Sequence, residues 1–289
     1  MKPTAFEYCR PERLDEALDL LAQYGPDVSI LAGGMSLGPM LNMRLVRPRI
    51  LMDIKRVSEL GGVQVVRDGV HTGARLVQAD AFADAELMNK VPLLALGLPN
   101  VGHFQTRNRG TLVGSVAHAD PSAEVPLCLT TLGGSIELCS KQGKRIVPAS
   151  EFFQGALTTV RRGDEMLTGL IWPLSEPRVG YGFQELAQRH GDFAIAAVAC
   201  AVVLDESGLI STIRVGVGGV EDRPYLADTT RVRGARACHE TACALASDIA
   251  EAVDPMSDLK ASAAYRRALV LALVERSVMA AFRMAGAIE

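Results

Sequence analysis

The feature that most constrains this chain is a short apolar run, Val28–Leu31, that passes directly into Ala32–Gly33–Gly34–Met35–Ser36–Leu37. A strand ending in consecutive glycines lets backbone N–H groups approach a ligand closely and allows positive φ at little cost. A brief helix is expected over 37–44, and its positive end would suit a pyrophosphate. The spacing does not fit G-x-G-x-x-G, which disfavours an ordinary Rossmann site. A tight strand-to-helix turn with no ligand accounts for this segment equally well. Gly216–Val217–Gly218–Gly219 also follows a strand but lacks the final glycine of that pattern and reads as a strand end.

A second glycine-rich segment lies about seventy residues on: Val101–Gly102–His103–Phe104–Gln105–Thr106–Arg107–Asn108–Arg109–Gly110–Thr111–Leu112–Val113–Gly114–Ser115, continuing through His118–Ala119–Asp120–Pro121. Residues 100–121 are too polar and glycine-rich to predict regular structure. Thr111, Gly114 and Ser115 are small enough to line a narrow channel for a diphosphate, and Asp120 can accept from a ribose hydroxyl. Arg107 and Arg109 read as structural, fixing a long loop through salt bridges. His103 and His118 have no dyad partner at readable spacing, which favours loop hydrogen bonding over acid–base work.

Around these segments the chain alternates. An extended piece at 6–8 precedes a helix over 13–24, where Leu14, Ala17, Leu18 and Leu21 fall at helical spacing. A strand follows at 50–54, and Gly61–Gly62 marks a boundary. Strands at 63–66 and 70–72, a helix at 78–83, a helix from 122 to 132 and strands at 136–139 and 166–171 come next. Pro173 and Pro177 flank a linker. The remainder reads as strands at 181–186, 194–204 and 212–217, then helices at 238–253 and 261–284.

Composition narrows the function. The 289 residues carry a formal net charge of -3, so no basic excess points to nucleic acid. The first residues lack an apolar leader core, and the longest apolar run, 193–204, is shorter than the ~20 residues a membrane helix needs. No membrane span and a cytoplasmic location are therefore expected. The six cysteines form no C-x-x-C pair, and Cys128, Cys139 and Cys200 sit among apolar residues as small buried hydrophobes. The histidines show no metal-ligand spacing, so neither an iron–sulfur cluster nor zinc is expected in this chain.

Both motifs resemble those of one family. Ala32–Gly33–Gly34–Met35–Ser36–Leu37 resembles the A-G-G-x-S-L motif of the medium, FAD-binding subunits of molybdenum hydroxylases of the carbon monoxide dehydrogenase and xanthine dehydrogenase type. Arg107–Asn108–Arg109–Gly110–Thr111–Leu112–Val113–Gly114–Ser115 resembles the second motif, and His118–Ala119–Asp120–Pro121 its continuation. Gly191–Asp192–Phe193–Ala194 is similar to a segment that reaches the flavin from the C-terminal domain, and Tyr265–Arg266–Arg267 to a family Y-R-R. The likeness runs through nearly the whole chain in order.

The resemblance implies an α+β fold: the FAD-binding fold of the vanillyl-alcohol oxidase (PCMH) type, with two α/β subdomains. A C-terminal domain with a three-stranded antiparallel sheet and a helical bundle would follow. Boundaries are expected at 1–57, 58–174 and 175–289. It implies that Ala32, Gly33, Gly34, Met35, Ser36 and Leu37 wrap the FAD pyrophosphate and that Gly110, Thr111, Gly114 and Ser115 oppose them. Val101, Gly102, Thr106, Ala119 and Asp120 would line the rest of the dinucleotide, and Phe193 would stand near the isoalloxazine. Met35 stands where Gln or His is frequent, and Val113 replaces a glycine, adding bulk where backbone approach matters. No residue of this chain is expected to be catalytic or to bind a metal.

The resemblance further implies an electron-transfer role. A large partner would carry a molybdenum–pterin centre and a small partner two [2Fe–2S] clusters, in a dimer of heterotrimers; this chain's FAD would pass electrons to an external acceptor. Two other readings stay open: a stand-alone flavin oxidase of the same fold, and a non-enzymatic module whose flavin site has decayed.

Overall fold

A computed structural model describes residues 2–67, 69–175 and 178–287. Pro177, one end of the expected linker, lies outside the described residues. The chain opens with β1 (Glu7–Cys9), α1 (Leu14–Tyr24), β2 (Val28–Leu31), α2 (Leu37–Asn42) and β3 (Ile50–Asp53). The strands make a three-stranded parallel sheet in the order β1-β3-β2. The middle strand β3 is buried at every residue, which explains its unbroken apolar run of Ile50–Leu51–Met52. α1 buries Ala17, Leu18 and Leu21 and stops at Gly25, whose φ of 49° no branched residue would adopt cheaply.

The next unit contains β4 (Val63–Val66), β5 (Gly69–Gly73), α3 (Gln78–Ala83), α4 (Ala85–Lys90), α5 (Pro92–Gly97), α6 (Phe104–Arg107), α7 (Leu112–His118) and α8 (Glu124–Leu132). These are followed by β6 (Ser135–Ser140), β7 (Gly143–Pro148), α9 (Ala149–Phe152), β8 (Phe153–Gly155), β9 (Thr158–Thr159) and β10 (Met166–Trp172). Five of its strands form an antiparallel sheet in the order β4-β5-β10-β6-β7. Trp172 is fully buried at the end of its central strand, and its indole N–H donates to Thr72 Oγ1 at 3.0 Å. α8 is buried along nearly its whole length, because it packs on α5 and on strands of the C-terminal sheet.

The expectation of irregular structure over 100–121 does not hold. Two short helices, α6 and α7, occupy that stretch. Its polar composition hid a buried stripe of Leu112, Val113 and Val116, and Thr111 caps α7 by accepting from the Gly114 N–H at 2.9 Å.

The last part holds β11 (Val179–Leu186), β12 (Ala196–Leu204), β13 (Ile210–Gly218), β14 (Tyr225–Leu226), α10 (His239–Ala252) and α11 (Ala263–Met284). The sheet is antiparallel, β11-β12-β13-β14; the two-residue β14 adds a fourth edge strand to the three long ones the resemblance implies. On β12, Ala196, Val198, Cys200 and Val202 join the core under α10 and α11, while Ala197, Ala199 and Ala201 join the core shared with the first two units. A strand buried on both faces must be apolar at every position, which is why the longest apolar run of the sequence belongs to a strand and not to a membrane helix. No helix among the described residues is long and apolar enough to cross a membrane.

Candidate functional site

Three backbone segments meet around one cleft of about 550 Å³. Residues 32–37 form one wall, at the C-terminal end of the parallel strand β2, and residues 101–118 form the opposite wall. Gly191, Asp192 and Phe193 close one side from the loop between β11 and β12.

Glycines hold the three together by direct backbone contact. A Cβ on Gly33 would collide with the Arg109 carbonyl oxygen and come within 2.7 Å of Gly110 Cα. One on Gly191, whose φ is 87°, would come within 2.8 Å of the His103 ring and 3.0 Å of the Gly102 carbonyl carbon. The missing side chain at Gly33 is therefore used to dock one loop on the other; the ligand space lies beside that contact.

The first loop presents free amides. Gly38 N–H donates to the Gly34 carbonyl and Met40 N–H to the Ser36 carbonyl. Among the described residues the amides of Met35, Ser36 and Leu37 have no backbone acceptor. α2 has only six residues, so these loop amides, rather than a sizeable helix dipole, are what this wall can offer an anion. Across the cleft, the Thr111 hydroxyl accepts from Gly114 N–H and keeps its own proton to donate. Gln78 at the head of α3 lines the cleft too. Its Oε1 is buried and has no hydrogen-bond partner among the described residues.

All of the residues expected from the sequence line this cleft except Ala119. Ala119 is buried, takes a left-handed φ of 55° as the residue that ends α7, and accepts from Leu157 N–H at 3.0 Å. Its contribution is to the turn that carries Asp120 into the cleft. Val113 lines the cleft but is only 3% exposed and packs in the core, so its bulk is turned largely inward and does not block backbone approach.

Arg107 is structural, but through carbonyls rather than salt bridges: Nη1 donates to the Val101 and Gly102 oxygens, both at 2.8 Å. It thus shapes the second wall. Arg109 contributes its backbone carbonyl to the Gly33 contact.

The sequence reading missed Gln78, Glu124 and Arg161. Glu124 was legible as an acid heading an apolar helix, but that pattern also describes an ordinary first-turn carboxylate. Burial pushes its carboxyl up to about 7, with Asp120 adding to the rise. Glu185 on β11 is driven up to about 8, again by burial first and then by Glu124. His118 is pushed down by burial against the pull of Asp120, which favours a neutral ring. Arg161 faces the cleft and donates to the Glu165 carbonyl at 2.8 Å.

The Y-R-R stretch acts at a distance. Arg266 is 2% exposed; its guanidinium donates to the carbonyls of Ile195 and Gly219 and to Asp258 Oδ2 at 2.7 Å. Ile195 lies two residues beyond Phe193, so this buried cation anchors the loop that closes the cleft. Phe193 itself is 55% exposed, with the Lys260 ammonium 5.4 Å from its ring centroid.

A cleft between two glycine-docked walls, flanked by a loop from a third unit and offering free amides, has the form of a two-walled dinucleotide site. Residues 4–175 match the family described as the FAD binding domain in molybdopterin dehydrogenase, and residues 181–281 match the CO dehydrogenase flavoprotein C-terminal domain. The chain belongs to the family of FAD-binding medium subunits of molybdenum hydroxylases.

It is 34% identical to the carbon monoxide dehydrogenase medium chain of Hydrogenophaga pseudoflava over 285 residues, which cover 98% of this chain and 99% of the relative. It is 35% identical to the nicotine 6-hydroxylase medium subunit of Paenarthrobacter nicotinovorans, covering 97% and 99%. Among solved structures, quinoline 2-oxidoreductase from Pseudomonas putida 86 superposes with a TM-score of 0.93 at 34% identity, covering 99% of each chain. The Hydrogenophaga pseudoflava carbon monoxide dehydrogenase gives 0.94 at 31% identity, covering 98% of this chain and 99% of that one.

Proposed function

We propose that this chain holds FAD in the cleft and relays electrons within a molybdenum hydroxylase complex. It receives them from the [2Fe–2S] clusters of a small partner subunit, downstream of a large molybdenum–pterin subunit, and delivers them to an external acceptor. The observation that carries this reading is the glycine-docked cleft itself, with free amides on one wall and the Thr111 hydroxyl on the other. Bound flavin supplies the redox chemistry, and the protein supplies binding, orientation and electrostatics.

In this proposal the amides of Met35, Ser36 and Leu37, with Ala32, Gly33 and Gly34 shaping their loop, hold the pyrophosphate. Gly110, Thr111, Gly114 and Ser115 face them; the Thr111 hydroxyl donates its proton to a phosphate oxygen while its lone pair keeps α7 capped. Val101, Gly102, Thr106 and Asp120 flank the remainder of the dinucleotide, and Phe193 lies beside the isoalloxazine. Ala119 acts only through its backbone turn. The working division of the chain is 1–57 and 58–174 for the two walls and 175–289 for the closing domain. The assembly is a cytoplasmic dimer of heterotrimers.

Two measurements test this. Denaturing the purified native complex should release one FAD per copy of this chain into the supernatant; flavin-free, well-folded complex would overturn the reading. Reconstituted complex should reduce its acceptor only when this chain is present. Vigorous oxidation of aldehydes or N-heterocycles by the chain alone would instead establish a stand-alone flavin oxidase.

A further inference from the structure

On the outer face of the C-terminal helix pair, three side chains of different chemistry converge. His239 and Cys243 lie four residues apart on α10, so helical geometry sets them on one face. Glu275 reaches them from α11. His239 Nε2 is 3.0 Å from Glu275 Oε1 and 3.6 Å from Cys243 Sγ, and one ligand atom from each residue lies within 4.8 Å of the other two. None of the three lines the flavin cleft.

The three ligand atoms are close enough for one ion to bridge them once the side chains rotate. A tetrahedral zinc ion with bonds of about 2.1 Å to nitrogen and oxygen and about 2.3 Å to sulfur holds its N and O ligands about 3.4 Å apart and its N and S ligands about 3.6 Å apart. The structure has 3.0 and 3.6 Å, and Cys243 Sγ also lies 3.7 Å from Nδ1, so the imidazole must turn to aim one nitrogen at an ion held by the sulfur. A His–Glu hydrogen bond explains the first distance and the four-residue helical spacing the second; together they gather nitrogen, sulfur and oxygen donors within reach of one ion.

We propose that His239, Cys243 and Glu275 form a binding site for a late first-row divalent cation of the zinc class, with a fourth position open to water. A mixed N, S and O donor set selects such an ion over magnesium or calcium, which favour oxygen alone. On binding, the Cys243 thiol releases its proton to solvent as the S–metal bond forms. Thiolate and carboxylate then balance the 2+ charge, and the neutral imidazole donates a lone pair. Side-chain exposures of 59% at His239 and 39% at Glu275 let the ion enter directly from solvent.

The test titrates the full-length chain with Co²⁺ as a spectroscopic stand-in. One equivalent should produce a thiolate-to-cobalt charge-transfer band that Zn²⁺ then bleaches. Cys243→Ser should abolish the band, and His239→Ala should weaken binding at least tenfold. Cys238→Ser should leave both unchanged, since that sulfur lies instead beside Thr241 Oγ1 at 3.3 Å. Zinc should raise the Tm of the parent chain but not of Cys243→Ser, and matching metal-free Tm values would show that the variants fold. The absence of a charge-transfer band at stoichiometric cobalt, or a band that survives Cys243→Ser, would overturn the site.

Discussion

Glycine does different work in the two halves of this molecule. In the C-terminal domain, Gly180 and Gly182 sit on β11 beneath α11, where a Cβ would collide with the carbonyl oxygens of Ala281 and Ser277. The two positions face one helix a turn apart, so the helix lies directly on the sheet along a closed seam. At the cleft, Gly33 also makes a close backbone approach to Arg109 and Gly110, but at a single point, and about 550 Å³ remains open beside it. A row of missing side chains closes an interface; one missing side chain at the end of a strand pins the rim of a space. The residue type is the same, and what its absent Cβ faces decides the outcome.

Breaking the seam should have the largest effect. Gly182→Val places a branched side chain against rigid helix backbone and should cost about 3 kcal/mol or more, measured by chemical denaturation or seen as loss of soluble protein. A variant with parental stability would mean that the seam is looser than the structure shows. Gly33→Val should cost less stability, because only one loop contact must open, yet it should lower the flavin-to-protein ratio at least tenfold. Parental flavin content in that variant would remove the Gly33 contact from the binding site.

A pH series sharpens the contrast from the side of charge. Glu124 and Glu185 lie where the cleft meets the C-terminal domain, with carboxyl groups raised to about 7 and about 8 in the fold from an ordinary 4.5. A raised carboxyl binds its proton more tightly in the folded state, so the chain loses stability as pH climbs from about 4.5 through 7 to 8. Glu185→Gln should therefore match the parent near pH 4 and melt progressively higher than it up to about pH 8. Equal melting curves across that range would show that the carboxylate is relieved by a partner. The smallest effect is expected for Thr111→Ala, which removes the α7 cap and should cost about 1 kcal/mol. Its flavin affinity should also fall if the hydroxyl donates to phosphate; an unchanged affinity would limit Thr111 to the cap.

Much of the site was legible because its residues cluster in sequence. The walls 32–37 and 101–115 are each continuous, and the Gly191–Phe193 loop carries its own motif. Gln78 and Arg161 were not legible, and Glu124 only as an ordinary first-turn acid. They come from α3, from α8 and from the loop between β9 and β10, and only the fold brings them to the same cleft. The helices at 104–107 and 112–118 were hidden for a related reason. Their apolar stripe is short, and their polar and glycine residues serve caps and backbone approach rather than exposure.

The sequence by itself determined the order of the longer elements, the amphipathic face of α1 and the unbroken apolar run of β12, because local periodicity and propensity act over a few residues. It determined the two cleft walls through the shortage of side chains there. Only the tertiary structure decided that Gly33 docks on Arg109 rather than on a ligand, that Arg266 anchors the Phe193 loop through Ile195, and that Glu275 meets His239 and Cys243. Each of those contacts joins residues far apart in the chain. Their pairing follows from how sheets and helices pack together, which no local pattern encodes.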